Sequence, residues 1–126
     1  VSMNAYMGGP GFAGYRSFNK ISNITKPSRF FVVMDEDDKT INDAMFRTDG
    51  QDYAGSALRI NDWPAYYHAG SGGISFADGH AELHKWKNIT QGAPAGFNPA
   101  TGATITAPID KPYLLKISTE PTDGSW

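Results

Sequence analysis

The chain has no cysteine. That excludes a disulfide framework, a zinc–thiolate site and a thiol nucleophile. It also lacks a surplus of charge: 11 Lys and Arg stand against 13 Asp and Glu, a formal net charge of −2. Such a balance offers no broad basic field to nucleic acid or anionic lipid. No apolar run approaches the ~18 residues that a membrane span needs. A phosphate-binding Gly-rich loop, a dinucleotide fingerprint and a Gly-x-Ser-x-Gly elbow are all missing. No catalytic set is therefore expected, and no internal repeat or low-complexity tract occurs.

What the chain does have is turn residues and rings. There are 14 Gly and 8 Pro in 126 residues, too many for a helical protein and suited to short strands joined by turns. Three Trp, six Tyr and seven Phe favour β structure around a compact core. At this length, with 40% hydrophobic residues, one domain spanning residues 1–126 is expected.

Residues 1–15 are Gly-rich and read as irregular structure or an edge strand. The apolar run from Phe30 to Met34 reads as a central strand. An acidic turn follows, then a strand over Ala44–Thr48. Residues 49–62 carry turn residues without a period and read as a surface loop. Between 88 and 112 the breakers Gly92, Pro94, Gly96, Pro99, Gly102, Pro108 and Pro112 exclude a long helix. A short strand at Ala103–Ala107 and a last strand at Tyr113–Ile117 are expected. No helix beyond two turns is predicted. Two Asn-x-Thr sequons, at Asn23 and Asn88, could accept glycans in a secreted eukaryotic protein and would be coincidence in a bacterial one.

Asp78-Gly79 lies between two alternating apolar runs, the strongest short-range hairpin signal. A two-residue turn there pairs Ala77 with His80, Phe76 with Ala81, Ser75 with Glu82 and Ile74 with Leu83. Ile74, Phe76, Ala81 and Leu83 would then share the buried face, with His80, Glu82 and His84 on the opposite one. His-x-Glu-x-His at alternate strand positions could offer two imidazoles and a carboxylate to zinc. A solvated polar face explains the same pattern. Asp35, Glu36, Asp37 and Asp38, followed by Asn42 and Asp43, crowd carboxylates into a turn. A hard cation would relieve their repulsion, and Asp35, Asp37, Asp38 and Asp43 are the calcium candidates. The spacing is not that of an EF-hand, and the same side chains can cap their own backbone. His68 and Asp78 are ten residues apart, about 30 Å along a straight strand. They are read as structural: Asp78 makes the turn, and His68 hydrogen-bonds a loop.

His68, nine residues, then Asp78-Gly79 resembles the signature of the prepilin-type H-X9-DG family of bacterial proteins. Three other segments resemble that family in the same order. They are Ser2-Met-Asn-Ala-Tyr-Met-Gly-Gly9, the stretch from Phe31 through Asp35-Glu36 to Ile41-Asn42-Asp43, and Trp63-Pro64 just ahead of the histidine. After Trp86 the match is weak. The resemblance implies an α+β pilin-like fold, of which this chain would supply a mainly antiparallel sheet with long loops and little helix. It implies a leader and a long apolar helix upstream of Val1, so that the chain is a truncated or processed head. It further implies a structural subunit of a pilin-like filament or type II secretion system. The partners would be other pilin-like subunits and the secretion machinery, with no nucleic acid, and the missing helix would be the membrane contact. The location would be the periplasmic face, the cell surface or outside the cell. Calcium in a loop is also a property of major pseudopilins. Two readings from other classes compete: an extracellular glycan- or peptide-binding module with its groove along residues 88–112, and a metal-dependent hydrolase using the hairpin histidines.

Overall fold

A computed structural model describes residues 1–9, 12–48 and 57–125. The apolar run read as central becomes β2 (Phe31–Met34), the middle strand of a five-stranded sheet. On one side lie β1 (Ser2–Asn4) and then β3 (Met45–Phe46); on the other lie β5 (Ser71–Phe76) and then β6 (Ala81–Lys85). β4 (Ala57–Ile60) pairs separately with β7 (Ala103–Thr106), and α1 (Asp110–Ser118) closes the described chain.

Four expectations are corrected here. β1 is an interior strand, hydrogen-bonded to β2 and β3, although its segment read as irregular or an edge. Its pairing with β3 is parallel, so the sheet is mixed and not wholly antiparallel. β4 occupies the end of a stretch read as loop, recruited by pairing with β7; residues 49–56 of that stretch lie outside the described residues. Tyr113–Ile117 is helix, although its apolar run suits a strand. Lys111, Leu114, Leu115, Ile117 and Ser118 are buried, the three- and four-residue spacing of one helix face. Pro112 sits in the first turn, where its missing N–H costs nothing.

The core lies on one face of the sheet. Phe31, Met34, Phe46, Ile74 and Phe76 pack there against Trp63, Trp86, Ile89, Leu114 and Ile117. Each such side chain contributes roughly 1.5–3 kcal/mol by leaving water. A smaller cluster of Tyr6, Phe18 and Phe30 lies beside it. Buried polar groups stitch the layers. Asn4 donates through Nδ2 to the carbonyls of Phe31 and Ser118, each at 2.9 Å, joining β1, β2 and the end of α1.

Asp110 holds the other end of α1. Its carboxylate accepts the backbone N–H groups of Lys87 at 3.0 Å, Asn88 at 2.6 Å and Ile89 at 2.8 Å. Asn88 returns the contact, its Oδ1 accepting the N–H of Ile109 at 2.7 Å and of Asp110 at 3.3 Å. The clasp ties the exit of β6 to the start of α1 and leaves three backbone donors, that of Ile89 buried and the other two part-buried, dependent on one side chain. Asp110→Ala is therefore expected to cost about 3 kcal/mol or more in a urea melt. Asp110→Asn, which keeps one acceptor oxygen, should cost clearly less.

Candidate functional site

The hairpin forms, but not in the expected register. Gly79 N–H donates to Phe76 O at 3.0 Å and Phe76 N–H to His80 O at 2.9 Å, so the loop holds three residues, Ala77, Asp78 and Gly79. Gly79 alone among them has positive φ, at 94°. A two-residue type I′ turn would need positive φ at Asp78 as well. The longer loop is anchored from outside: Ala77 N–H donates to Phe30 O at 3.0 Å and Asp78 N–H to Pro27 O at 3.1 Å. The strands accordingly pair Ser75 with Ala81, Ile74 with Glu82, Gly73 with Leu83 and Gly72 with His84.

A one-residue slip reverses every side chain of a strand. His80, Glu82 and His84 therefore share the face of Ile74 and Phe76, while Ala81 and Leu83 turn outward. His80 stacks on Phe76 at 4.4 Å, and His84 stacks on Tyr113 of α1 at 3.8 Å. The Tyr113 hydroxyl donates to Glu82 Oε1 at 2.8 Å. Burial pushes the Tyr113 phenol up and the His84 imidazole down. Of the three residues proposed as zinc ligands, Glu82 and His84 thus contact the helix through Tyr113, and His80 packs on Phe76 beside the turn.

His68 and Asp78 flank opposite ends of β5 and do not meet. His68 sits in a tight turn, exchanging backbone hydrogen bonds with Ser71 at 3.3 and 3.1 Å. Its imidazole is exposed and bonds no described residue, contrary to the expected loop contact. Asp78 accepts the His80 N–H at 3.1 Å and lies 2.5 Å from His80 Nδ1. These contacts, the backbone one first, hold its carboxyl below the usual range.

The four calcium candidates each have a separate task. Asp35 Oδ2 accepts Gly73 N–H at 3.2 Å, in a contact so close that a Cβ on Gly73 would fall 2.7 Å from that oxygen. Asp37 Oδ1 accepts Lys39 N–H at 3.0 Å, Asp38 Oδ1 the Tyr67 hydroxyl at 2.9 Å, and Asp43 Oδ1 Met45 N–H at 2.7 Å. Among the described residues no three His, Asp or Glu side chains are gathered as a metal-binding group. Loop-capping by short acidic side chains accounts for the crowding.

Two acids, Glu36 within this loop and Asp62, are buried, which their sequence pattern does not reveal. Glu36 accepts hydrogen bonds from the hydroxyls of Ser2 and of Thr40, the latter at 2.8 Å, and burial raises its pKa. Asp62 accepts Arg47 N–H at 2.6 Å, and burial pushes it up to about 7. Asp62 lines an open cleft of ≈ 310 Å³ with Asp43, Asn42, Asn61, Arg47 and Pro99. Of the groove expected along 88–112, only Pro99 and Ala100 contribute here. The nearby Phe12 ring is covered on one side by the Arg47 guanidinium at 4.8 Å.

The opposite face of the sheet has no covering element among the described residues. Strand pairing lines up Met45, Met3, Val33, Ser75 and Ala81 in one row across all five strands. Met45 and Met3 are 39% and 40% exposed, and Leu83 and Val1 beside the row are 65% and 78% exposed. Gly73, Ser75 and Ala81 are small and floor a trough of ≈ 360 Å³ walled by Val33 and Leu83, with Val1 at its margin. The row crosses four inter-strand gaps, about 19 Å, wide enough for a helix of ~10 Å diameter. Asp35 and Glu82 also line the trough, so this face is mainly but not wholly apolar.

Asp62 yields a pH prediction whose sign is fixed. Its pKa is about 7 folded against an ordinary 3.8, so the native state holds the proton more tightly. Its contribution to stability is greatest below the unfolded value and is lost as pH rises towards 7. Asp62→Asn keeps an acceptor for Arg47 N–H without the buried charge. Urea melts should show the variant gaining more than about 1 kcal/mol over the wild type at pH 8 and almost nothing at pH 4. An equal difference at both pH values would contradict the assignment. Compared with models of known families, with curated proteins and with solved structures, the chain matches none.

Proposed function

We propose that the chain is the globular head of a pilin-like or pseudopilin-like subunit, exported and assembled by a type II secretion or type IV pilus-like machine. In this reading the outer face of the sheet seats the apolar helix that precedes Val1. The observation that carries it is the in-register row Met45, Met3, Val33, Ser75 and Ala81, apolar or small throughout and uncovered. A single exposed hydrophobic residue needs no explanation, but a continuous apolar face marks an interaction surface. Val1 lines the same trough, so a helix joined to it would start beside this face. The order of segments that resemble the H-X9-DG family supports the same reading independently of the packing.

The head needs no catalytic group under this proposal. Glu82 and His84 serve the contact between β6 and α1, and His80, Asp78 and Gly79 serve the turn. The functional content is a stable head, an apolar seat and exposed loops for neighbours or cargo. Calcium and the identity of the cargo are no part of the argument.

The reading predicts a basic leader, a prepilin cleavage site and ~20 apolar residues, a bilayer's worth, encoded ahead of Val1. An ordinary cleaved secretory signal or a start codon in that position would count against it. It also predicts a split phenotype for Leu83→Asp. In the isolated head this exposed position should change stability by only about 0.5 kcal/mol. In the full-length subunit the same change should abolish assembly, measured as sheared filaments or as subunit crosslinks. Normal assembly of Leu83→Asp would sink the proposal.

A further inference from the structure

Three cations converge on one carboxylate at the start of β2. Glu120, with 12% of its side chain exposed, receives Lys26 Nζ at 2.9 Å and Arg29 Nη2 at 3.2 Å, and Arg16 Nε stands 3.6 Å away. The Thr25 hydroxyl donates to it at 3.1 Å. Desolvation acts to raise the Glu120 pKa, but the Lys26 and Thr25 hydrogen bonds and the nearby cations outweigh it and hold the carboxyl low. One carboxylate cannot neutralise three cations, so the patch keeps about two uncompensated positive charges in a protein that is negative overall.

Beside this patch opens a cavity of ≈ 430 Å³, lined by Arg16, Ser17, Phe18, Ser22, Asn23 and Thr25. Its lining contains a guanidinium, hydroxyls and an amide, and no carboxylate. Several of these donors are idle. Ser17 Oγ is buried without a hydrogen-bond partner, and the exposed side chains of Ser22 and Asn23 bond no described residue and are open to solvent or a ligand. Arg29 Nε is also buried without a partner. Unpaired buried donors are rare in native proteins.

Excess cationic charge and idle donors call for the same ligand. We propose that this cavity binds an oxyanion of the phosphate or sulfate class, with Arg16 as the charged contact and Ser17, Ser22 and Asn23 as neutral donors. A charge-assisted hydrogen bond to the guanidinium would supply the strength. The hydroxyls and the amide, directed from other sides, would supply the fit. Arg16 and Thr25 line this cavity and also a second one, lined with them by Lys26 and Glu120, so Arg16 is the cation of the patch that an anion here would meet. The site lies apart from the apolar sheet face and does not rest on the filament reading.

The test is titration of the whole chain with inorganic phosphate, and separately with sulfate, against sodium chloride at matched ionic strength. Matching removes general screening. Ligand that binds only the native state should raise Tm with concentration, and calorimetry should give a saturable heat. Arg16→Gln, at a side chain 47% exposed, should fold normally and lose about tenfold or more in affinity. The pair Ser22→Ala with Asn23→Ala leaves the charge unchanged and should lower affinity severalfold. Lys116→Gln, an exposed charge on α1, should behave as wild type. The proposal is overturned if neither phosphate nor sulfate exceeds chloride. It is equally overturned if Arg16→Gln binds as the wild type does, or if the neutral pair changes nothing, since attraction by unstructured charge would then suffice.

Discussion

The three-residue turn at Ala77-Asp78-Gly79 decides what each face of this protein presents. With two residues in the loop, Leu83 would enter the core and the hairpin histidines would face water. With three, Gly79 takes the left-handed conformation at φ 94° and closes the loop, and every side chain of β6 is reversed. The choice is enforced by the segment before β2, where Pro27 and Phe30 offer their carbonyls to the turn. The histidine–tyrosine stack beneath α1 and the apolar row on the other side are both consequences of that register.

Burying one face of a small sheet under a single nine-residue helix leaves many backbone ends to satisfy. The protein meets this with buried side chains that each serve several partners. Asn4 joins β1, β2 and the end of α1, and Asp110 gathers the exit of β6. Trp86 Nε1 donates to Ala65 O and Trp63 Nε1 to Gln91 O, at 2.9 and 2.8 Å, pinning long connections to the core. The helix-side face is thereby closed. The outer face of the sheet is left open to a partner, and the proposed role uses it.

Much of the fold was legible in local pattern. The β-rich run at Phe31–Met34 is the central strand, β7 occupies Ala103–Thr106 of the expected Ala103–Ala107, and the Asp-Gly turn marks a true hairpin. What escaped depends on distant partners. The loop length at Gly79 is set by carbonyls fifty residues upstream, and β4 exists through its pairing with β7. The helix at Asp110–Ser118 had local cues, an acidic residue followed by Pro112 in a first turn, but Tyr-Leu-Leu also suits a strand. The candidate site divides the same way. Asp78 and Gly79 are the turn residues their types imply. The acids from Asp35 to Asp43 look like a metal site in sequence because spacing does not reveal that each is committed to a neighbouring N–H or hydroxyl. The outer row could not be read at all from β6, since its residues follow the register.

The central claim, that the outer sheet face seats a helix in the assembled subunit, is open to a direct measurement because the chain has no cysteine of its own. A single thiol introduced as Leu83→Cys reports on the trough, and one introduced as Lys116→Cys reports on the exposed side of α1. Maleimide labelling rates of each would be compared between the isolated head and the full-length assembled subunit. The account predicts that labelling at position 83 falls by about tenfold or more on assembly, as expected for a side chain taken out of solvent, while position 116 is unchanged. Equal labelling of position 83 in both states would contradict it.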